Sequence, residues 1–230
     1  MIIRTFNDAL HTARQMAAQI AEDIQKTIEQ RNFFSIAFTG GNSPAYYLSH
    51  LAMQSVDWNW VHIFWHNERI VSPDSQHSNY RLIQQYLLDH IMLPHSNIHR
   101  IMGELKSKAA DDYIQGLNTF FKNNIQFDVA LLGLNINGYI APFYPKSKLL
   151  LNRSVNQAEF VENPFKPNSL RLGLSADIIN RSKRLFLFVT GSDKRDVLKE
   201  FLELMNHPKK NRKYPKLDTE KLEIFTDIQI

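Results

Sequence analysis

Apolar and polar positions alternate along this chain with two periods. Leu10, Ala13, Ala17, Ile20, Ile24 and Ile28 recur at helical spacing, and Asn7 is placed to cap them, so residues 8–30 read as a long first helix. A short apolar run, Phe33 to Phe38, then reads as a strand and ends in Thr39-Gly40-Gly41. Ser43 reads as the cap of a second helix, with Pro44 in its first turn, where proline is favoured. Trp60 to Trp65 is the next predicted strand, and Asn79 to Met92 a helix stopped before Pro94. Ala109 to Phe121 reads as a helix with Asp111 and Asp112 at its dipole-favoured end. Phe127 to Leu132 has the unbroken apolar pattern of a strand buried on both faces. Leu170 to Leu174, Leu185 to Thr190 and Leu222 to Phe225 are further strands. Ser192 or Asp193 caps a last helix running to Met205. Residues 146–168 lack helical periodicity and are expected to form a loop or a small β excursion. Strand-helix alternation of this kind predicts an α/β domain, a mostly parallel sheet with helices on both faces. With 230 residues and no repeat or low-complexity linker, one domain spanning residues 1–230 is the economical expectation.

Composition narrows the chemistry. There is no cysteine, which excludes disulfides, thiolate metal sites and a cysteine nucleophile. The N-terminus lacks an apolar signal core, and no apolar run approaches the ~18 residues that span a bilayer. A cytoplasmic protein with no membrane partner is therefore expected. The net charge of +4 is a weak bias, partly gathered in Lys209, Lys210, Arg212, Lys213 and Lys216. Interleaved stacking aromatics are missing there apart from Tyr214, so a solvated loop is expected rather than a nucleic-acid surface.

The candidate chemistry falls at the carboxyl ends of the predicted strands, where open α/β sheets hold their ligands. Gly40, Gly41, Asn42 and Ser43 join a strand to a helix start, whose free N–H groups suit a phosphate or a set of sugar hydroxyls. His66-Asn67-Glu68-Arg69 follows the next strand, and Arg69 can fork onto a phosphate while Glu68 acts as a base or holds Arg69. The Gly133–Pro145 loop follows the third, and Gly191 with Lys194 a later one.

Together TGGNSP, WVHIFWHNERIV, HSNYRLIQQYLL, FDVALLGLNINGYIAPFYP, SLRLGLSADIIN and FVTGSDKRDVL resemble, in order and spacing, the 6-phosphogluconolactonase family of the wider group that includes glucosamine-6-phosphate deaminase. The resemblance implies a Rossmann-like three-layer α/β/α fold and hydrolysis of 6-phospho-D-glucono-1,5-lactone to 6-phosphogluconate, in the oxidative pentose phosphate pathway. It implies no metal and no organic cofactor, and a sugar-phosphate small molecule as partner. The chain is expected to be a monomer or homodimer. The phosphate and sugar contacts map onto Gly40, Gly41, Asn42, Ser43, Arg69, Arg171 and Lys194.

The catalytic loop departs from the family pattern, which runs Gly-x-Asp-Gly-His-Thr-Ala-Ser-Leu-Phe-Pro. Here the stretch is Asn135 to Pro145, with Asn137 at the acid and Tyr139 at the histidine expected to activate water. Asn67 stands where the family carries an acid before Glu68 and Arg69. A phenol of pKa ~10 is a poor base at neutral pH, and an amide is none. Glu68, Asn137 and Tyr139 are thus the candidate catalytic positions, and three outcomes stay open. One is a working lactonase whose water is recruited by Glu68, His66 or His77. Another is a sugar-phosphate binding protein that kept the fold and lost the chemistry. The third, more remote, keeps the fold for protein contact alone. Asn137-Gly138 is also an expected deamidation site, because glycine does not hinder ring closure.

Overall fold

The computed structural model describes residues 1–41, 43–150, 157–165 and 169–230. Seven parallel strands form the main sheet: β1 (Ile2–Thr5), β2 (Phe34–Phe38), β3 (Val61–Trp65), β5 (Ile98–His99), β6 (Val129–Gly133), β9 (Arg184–Val189) and β10 (Leu222–Thr226). Their order is β1-β10-β9-β6-β2-β3-β5. A second, antiparallel sheet has the order β4-β8-β7, from β4 (Asn67–Arg69), β7 (Ala158–Glu162) and β8 (Leu170–Leu174). Helices α1 (Ala9–Arg31), α2 (Pro44–Ala52), α3 (Asn79–Tyr86), α4 (Ala109–Phe120), α5 (Ala176–Arg181) and α6 (Arg195–Asn206) flank the sheets. This is the mostly parallel α/β architecture that the strand-helix alternation predicts.

The chain order around β2 creates the crevice. From β2 the chain proceeds outward to β3 and β5, then returns to β6 on the other side and continues to β9 and β10. The connections after β2 and β6 therefore leave in opposite directions, the arrangement that opens a binding crevice at the strands' carboxyl ends. The strands beside it are buried along almost their whole length: every residue of β2 and β10, and Val129 to Leu132 of β6. Phe38, Phe64, Trp65, Phe127, Phe186 and Phe188 fill the space between sheet and helices.

Several local expectations change. Asp8, not Asn7, caps α1, its carboxylate accepting from His11 N–H at 2.7 Å. Ser43 has helical backbone angles and makes no side-chain cap bond. The helix expected to reach Met92 ends at Tyr86; Leu87 leaves helical geometry and a short 3-10 turn at Leu88–His90 follows. The last helix begins at Arg195, and Ser192 and Asp193 sit in a 3-10 turn before it rather than capping it. Leu170–Leu174 belongs to the small sheet, not the large one. The β excursion in residues 146–168 is β7, while residues 151–156 and 166–168 lie outside the described part.

The junction between the sheets is a single residue. His66 donates its N–H to Phe38 O at 3.0 Å, in the large sheet. Its carbonyl accepts from Leu174 N–H at 2.9 Å, in the small one. Its ring Nε2 lies 2.7 Å from the Leu131 carbonyl, so Nε2 carries the proton and donates.

Candidate functional site

A cavity of about 250 Å³ opens at the crevice. It is floored by the ends of β2 and β6 and walled by the small sheet and the turn after β9. The glycine-rich connection Thr39-Gly40-Gly41 forms one side. Gly41 holds φ +105 with open space where a side chain would be, so it needs glycine for its backbone angle. Gly40 is different: a Cβ there would overlap the Asn79 side chain at 1.8 Å. That glycine makes room for Asn79, although it also faces the cavity.

Of the sequence-predicted binding residues, Gly40, Gly41, Ser43, Arg69, Arg171 and Lys194 all line this cavity. Asn42 lies outside the described residues. Arg69 and Arg171 are direct register partners across the antiparallel pair β4–β8. Like charges directly opposite one another repel, and neither arginine has a carboxylate partner among the described residues. Arg69 donates to the His77 carbonyl and to Asn79 Oδ1 at 3.0 Å. Arg171 is 5% exposed, and its Nη1 reaches Asn67 Oδ1 at 3.5 Å. Burial, and then the charge of Arg171, hold the Arg69 guanidinium below its ordinary pKa. Burial likewise lowers Lys194, with the charges of Asp193 and Asp227 opposing, and among the described residues it makes no direct ion pair.

The candidate catalytic residues fare differently. Tyr139 is buried on the cavity wall, its ring stacked on Phe165 at 5.1 Å and edge-on to Tyr144 at 5.0 Å. Asn137 is exposed and off the wall, at the tip of a turn closed by Gly138 N–H to Asn135 O at 2.8 Å and Asn135 N–H to Tyr139 O at 2.9 Å. Gly138 holds φ +69 there, with Lys213 Nζ 2.6 Å from where its Cβ would stand.

Glu68 does not line the cavity. Its carboxylate is buried and accepts from Asn79 N–H and Tyr80 N–H at 2.7 Å each, Arg69 N–H at 2.7 Å and Ser78 Oγ at 3.1 Å. Burial pushes its pKa up while these four bonds pull it down. Rather than pairing with the Arg69 guanidinium, it caps α3 and closes the His77–Tyr80 loop. The other two proposed water-recruiting residues are also displaced. His66 is fully buried at the sheet junction, its pKa pushed down to about 4 by burial. His77 is exposed and absent from the wall. Among the described residues, Asp193 is the one carboxylate that lines the cavity.

Sequence reasoning missed the wall residues Tyr47, Tyr144 and Asn163, and read Asp193, also on the wall, only as a helix cap. Tyr144 carried a signal: it adds a hydroxyl where the family loop has phenylalanine. Tyr47 read as helix packing, and Asn163 lay in a stretch without periodicity, so neither stood out.

The family described as "Glucosamine-6-phosphate isomerases/6-phosphogluconolactonase" matches residues 7–217. The chain belongs to this family. It is 30% identical over 209 residues to a 6-phosphogluconolactonase from Haemophilus influenzae, covering 89% of this chain and 87% of that protein. It is 32% identical over 189 residues to one from Synechocystis, covering 77% and 75%. In three dimensions it is similar to a 6-phosphogluconolactonase from Thermotoga maritima, with a TM-score of 0.83 at 24% identity over 98% of both chains. A monomeric glucosamine-6-phosphate deaminase superposes with a TM-score of 0.80 at 15% identity, over 98% of this chain and 97% of that one, which speaks for the shared fold alone. The crevice at the ends of β2 and β6 is thus carried on the scaffold of this family. Among the described residues no helix is long and apolar enough to cross a membrane.

Proposed function

We propose that the cavity binds a 6-phosphorylated sugar acid or its lactone, and that the chain hydrolyses 6-phospho-D-glucono-1,5-lactone slowly. The carrying observation is the facing pair Arg69 and Arg171, with no carboxylate against either among the described residues. A buried guanidinium without a counter-charge costs several kcal/mol unless an anion completes it. Lys194 and the Gly41 turn add a further cation and backbone donors on the same wall. The relatives named 6-phosphogluconolactonase support a phosphorylated lactone as the ligand that fits.

Slow turnover follows from what the wall lacks. Hydrolysis adds water to the lactone carbonyl, passes a proton from that water to a base, and returns one to the departing ring oxygen. Among the described residues no histidine or glutamate lines the cavity, a phenol stands at Tyr139, and the carboxylate that does reach it, Asp193, sits beside Lys194 at the turn after β9 rather than on the loop that carries Tyr139. A positioned general base is worth about 10²–10⁴ in rate. Donors aimed at the developing oxyanion leave part of the catalysis in place without it.

The test is timed hydrolysis of freshly prepared lactone, with and without protein, beside equilibrium binding of 6-phosphogluconate. Saturable binding and a rate modestly above buffer are expected. Asn137→Asp with Tyr139→His should then raise the rate by about 10²-fold or more. Failure of every phosphorylated sugar to bind would sink the proposal. A second reading, a binding protein without turnover, is favoured by the Tyr139–Phe165 stack that occupies the histidine's position. Binding with a rate equal to buffer decides for it.

A further inference from the structure

Among the described residues, four that line the cavity carry a buried side-chain atom with no hydrogen-bond partner: Tyr47 Oη, Tyr144 Oη, Asn163 Nδ2 and Arg171 Nε. All can donate. Buried donors are normally satisfied, so a set of orphans on residues that line one cavity points to an acceptor that belongs there.

Three of the four are linked. The Arg171 guanidinium carbon lies 5.9 Å from the centre of the Tyr144 ring. Tyr144 packs on Tyr139, and Tyr139 on Phe165. The Phe165 N–H donates to Asn163 Oδ1 at 2.9 Å, which fixes that amide and leaves Nδ2 as its free end. Asn163 follows β7 directly, beside the Val161–Arg171 register pair. Burial pushes the Tyr144 phenol up to about 12, with Arg171 opposing, so Tyr144 keeps its proton and donates. The set offers hydrogens and one full positive charge, and no base.

Asn67 adds to that charge. The family pattern carries an acid at this position, within reach of Arg171. Here a neutral amide takes its place, with Oδ1 3.5 Å from Arg171 Nη1, so the guanidinium keeps its whole charge for a ligand. Lys194 comes from the turn after β9 and Arg171 from the small sheet, so separate cations can hold separate anionic groups.

We infer that Tyr144, Asn163 and Arg171 form a carboxylate subsite that reads the C1 acid of an opened 6-phosphosugar. The site therefore prefers a 6-phosphoaldonate to the same sugar phosphate with a neutral C1. This rests on the reading of the cavity as a phosphorylated-sugar site. It assigns the substituted site a role of its own, retention of the acid rather than its release.

Titration calorimetry with 6-phosphogluconate and with D-glucitol 6-phosphate tests it. The two share chain length and phosphate and differ at C1, as carboxylate against CH₂OH. The acid should bind at least about tenfold more tightly, the value of a charge-assisted hydrogen bond. Tyr144→Phe should narrow that ratio severalfold and leave glucitol 6-phosphate nearly unchanged. Tyr144→Phe should not lower the melting temperature of the unliganded protein, because it removes a hydroxyl that has no partner. Equal affinity for the two probes overturns the inference and leaves the proposed function standing. So does a Tyr144→Phe loss shared equally by both. No binding of either probe overturns both.

Discussion

At the scale of single residues, charge and burial decide which candidates can act. Glu68 is the clearest case. Its sequence context, next to Arg69, supports a base or an ion pair equally well, and nothing in the chain announces that Asn79, Tyr80 and Arg69 all aim N–H groups at it. Those bonds form only once β4 is laid beside the start of α3. Glu68→Gln would set an amide NH₂ against backbone donors and remove a negative charge from a helix N-terminus. A stability loss of about 2–3 kcal/mol is expected in urea unfolding. Any fall in activity of that variant should track loss of folded protein; full stability with lost turnover would return Glu68 to a chemical role. Asn67 and Tyr139 stand out in the sequence only against the pattern that the resemblance supplies. Both prove to be buried, so exposed drift does not account for them.

Among the elements, those with helical periodicity or an unbroken apolar run were read nearly as they stand: α1, β2, β3, α4, β6, β9 and β10. The small sheet was read only in part, β8 being expected as a strand at Leu170–Leu174 and β7 only as an unplaced β excursion. β4 has three residues and β7 falls in a stretch with no pattern, and what makes either a strand is pairing with β8 across the chain. Gly173 shows how closely that sheet meets the loop after β6: a Cβ there would lie 2.3 Å from the Pro142 ring. The Asn135–Tyr139 turn gives a prediction at this scale. Deamidation at Asn137 needs the Gly138 nitrogen to attack the side-chain carbonyl, and that N–H is bonded to Asn135 O at 2.8 Å. The folded protein should therefore keep Asn137 intact far longer than the same peptide in a urea-unfolded sample. Peptide mass spectrometry of both after matched incubation checks this, and equal half-lives would refute it.

For the whole molecule, the pH dependence of stability reports on the joint between the sheets. His66 is neutral in the fold and pushed down to about 4, against an ordinary value near 6.5. The unfolded chain thus takes the proton first as pH falls, so stability is full above about pH 6.5 and declines toward pH 4. At pH 5 this group alone should have removed about 2 kcal/mol. His99, also pushed down to about 4, acts in the same direction, while the raised Glu68 opposes both. Comparing urea midpoints of the wild type and His66→Gln at pH 7 and pH 5 isolates the His66 share. A decline of equal size in both would remove it.

The same histidine sets how the crevice can open. Its N–H serves the large sheet, its carbonyl the small sheet, and its ring a third strand. Swinging β4 and β8 away from β2 and β6 would break at this buried residue either its one bond to the small sheet or its two to the large one, at about 1 kcal/mol each. The wall bearing Arg69 and Arg171 is thus tied to the large sheet through His66. A ligand meets cations already aligned, and the orientation of the two arginines is settled by folding before any anion arrives.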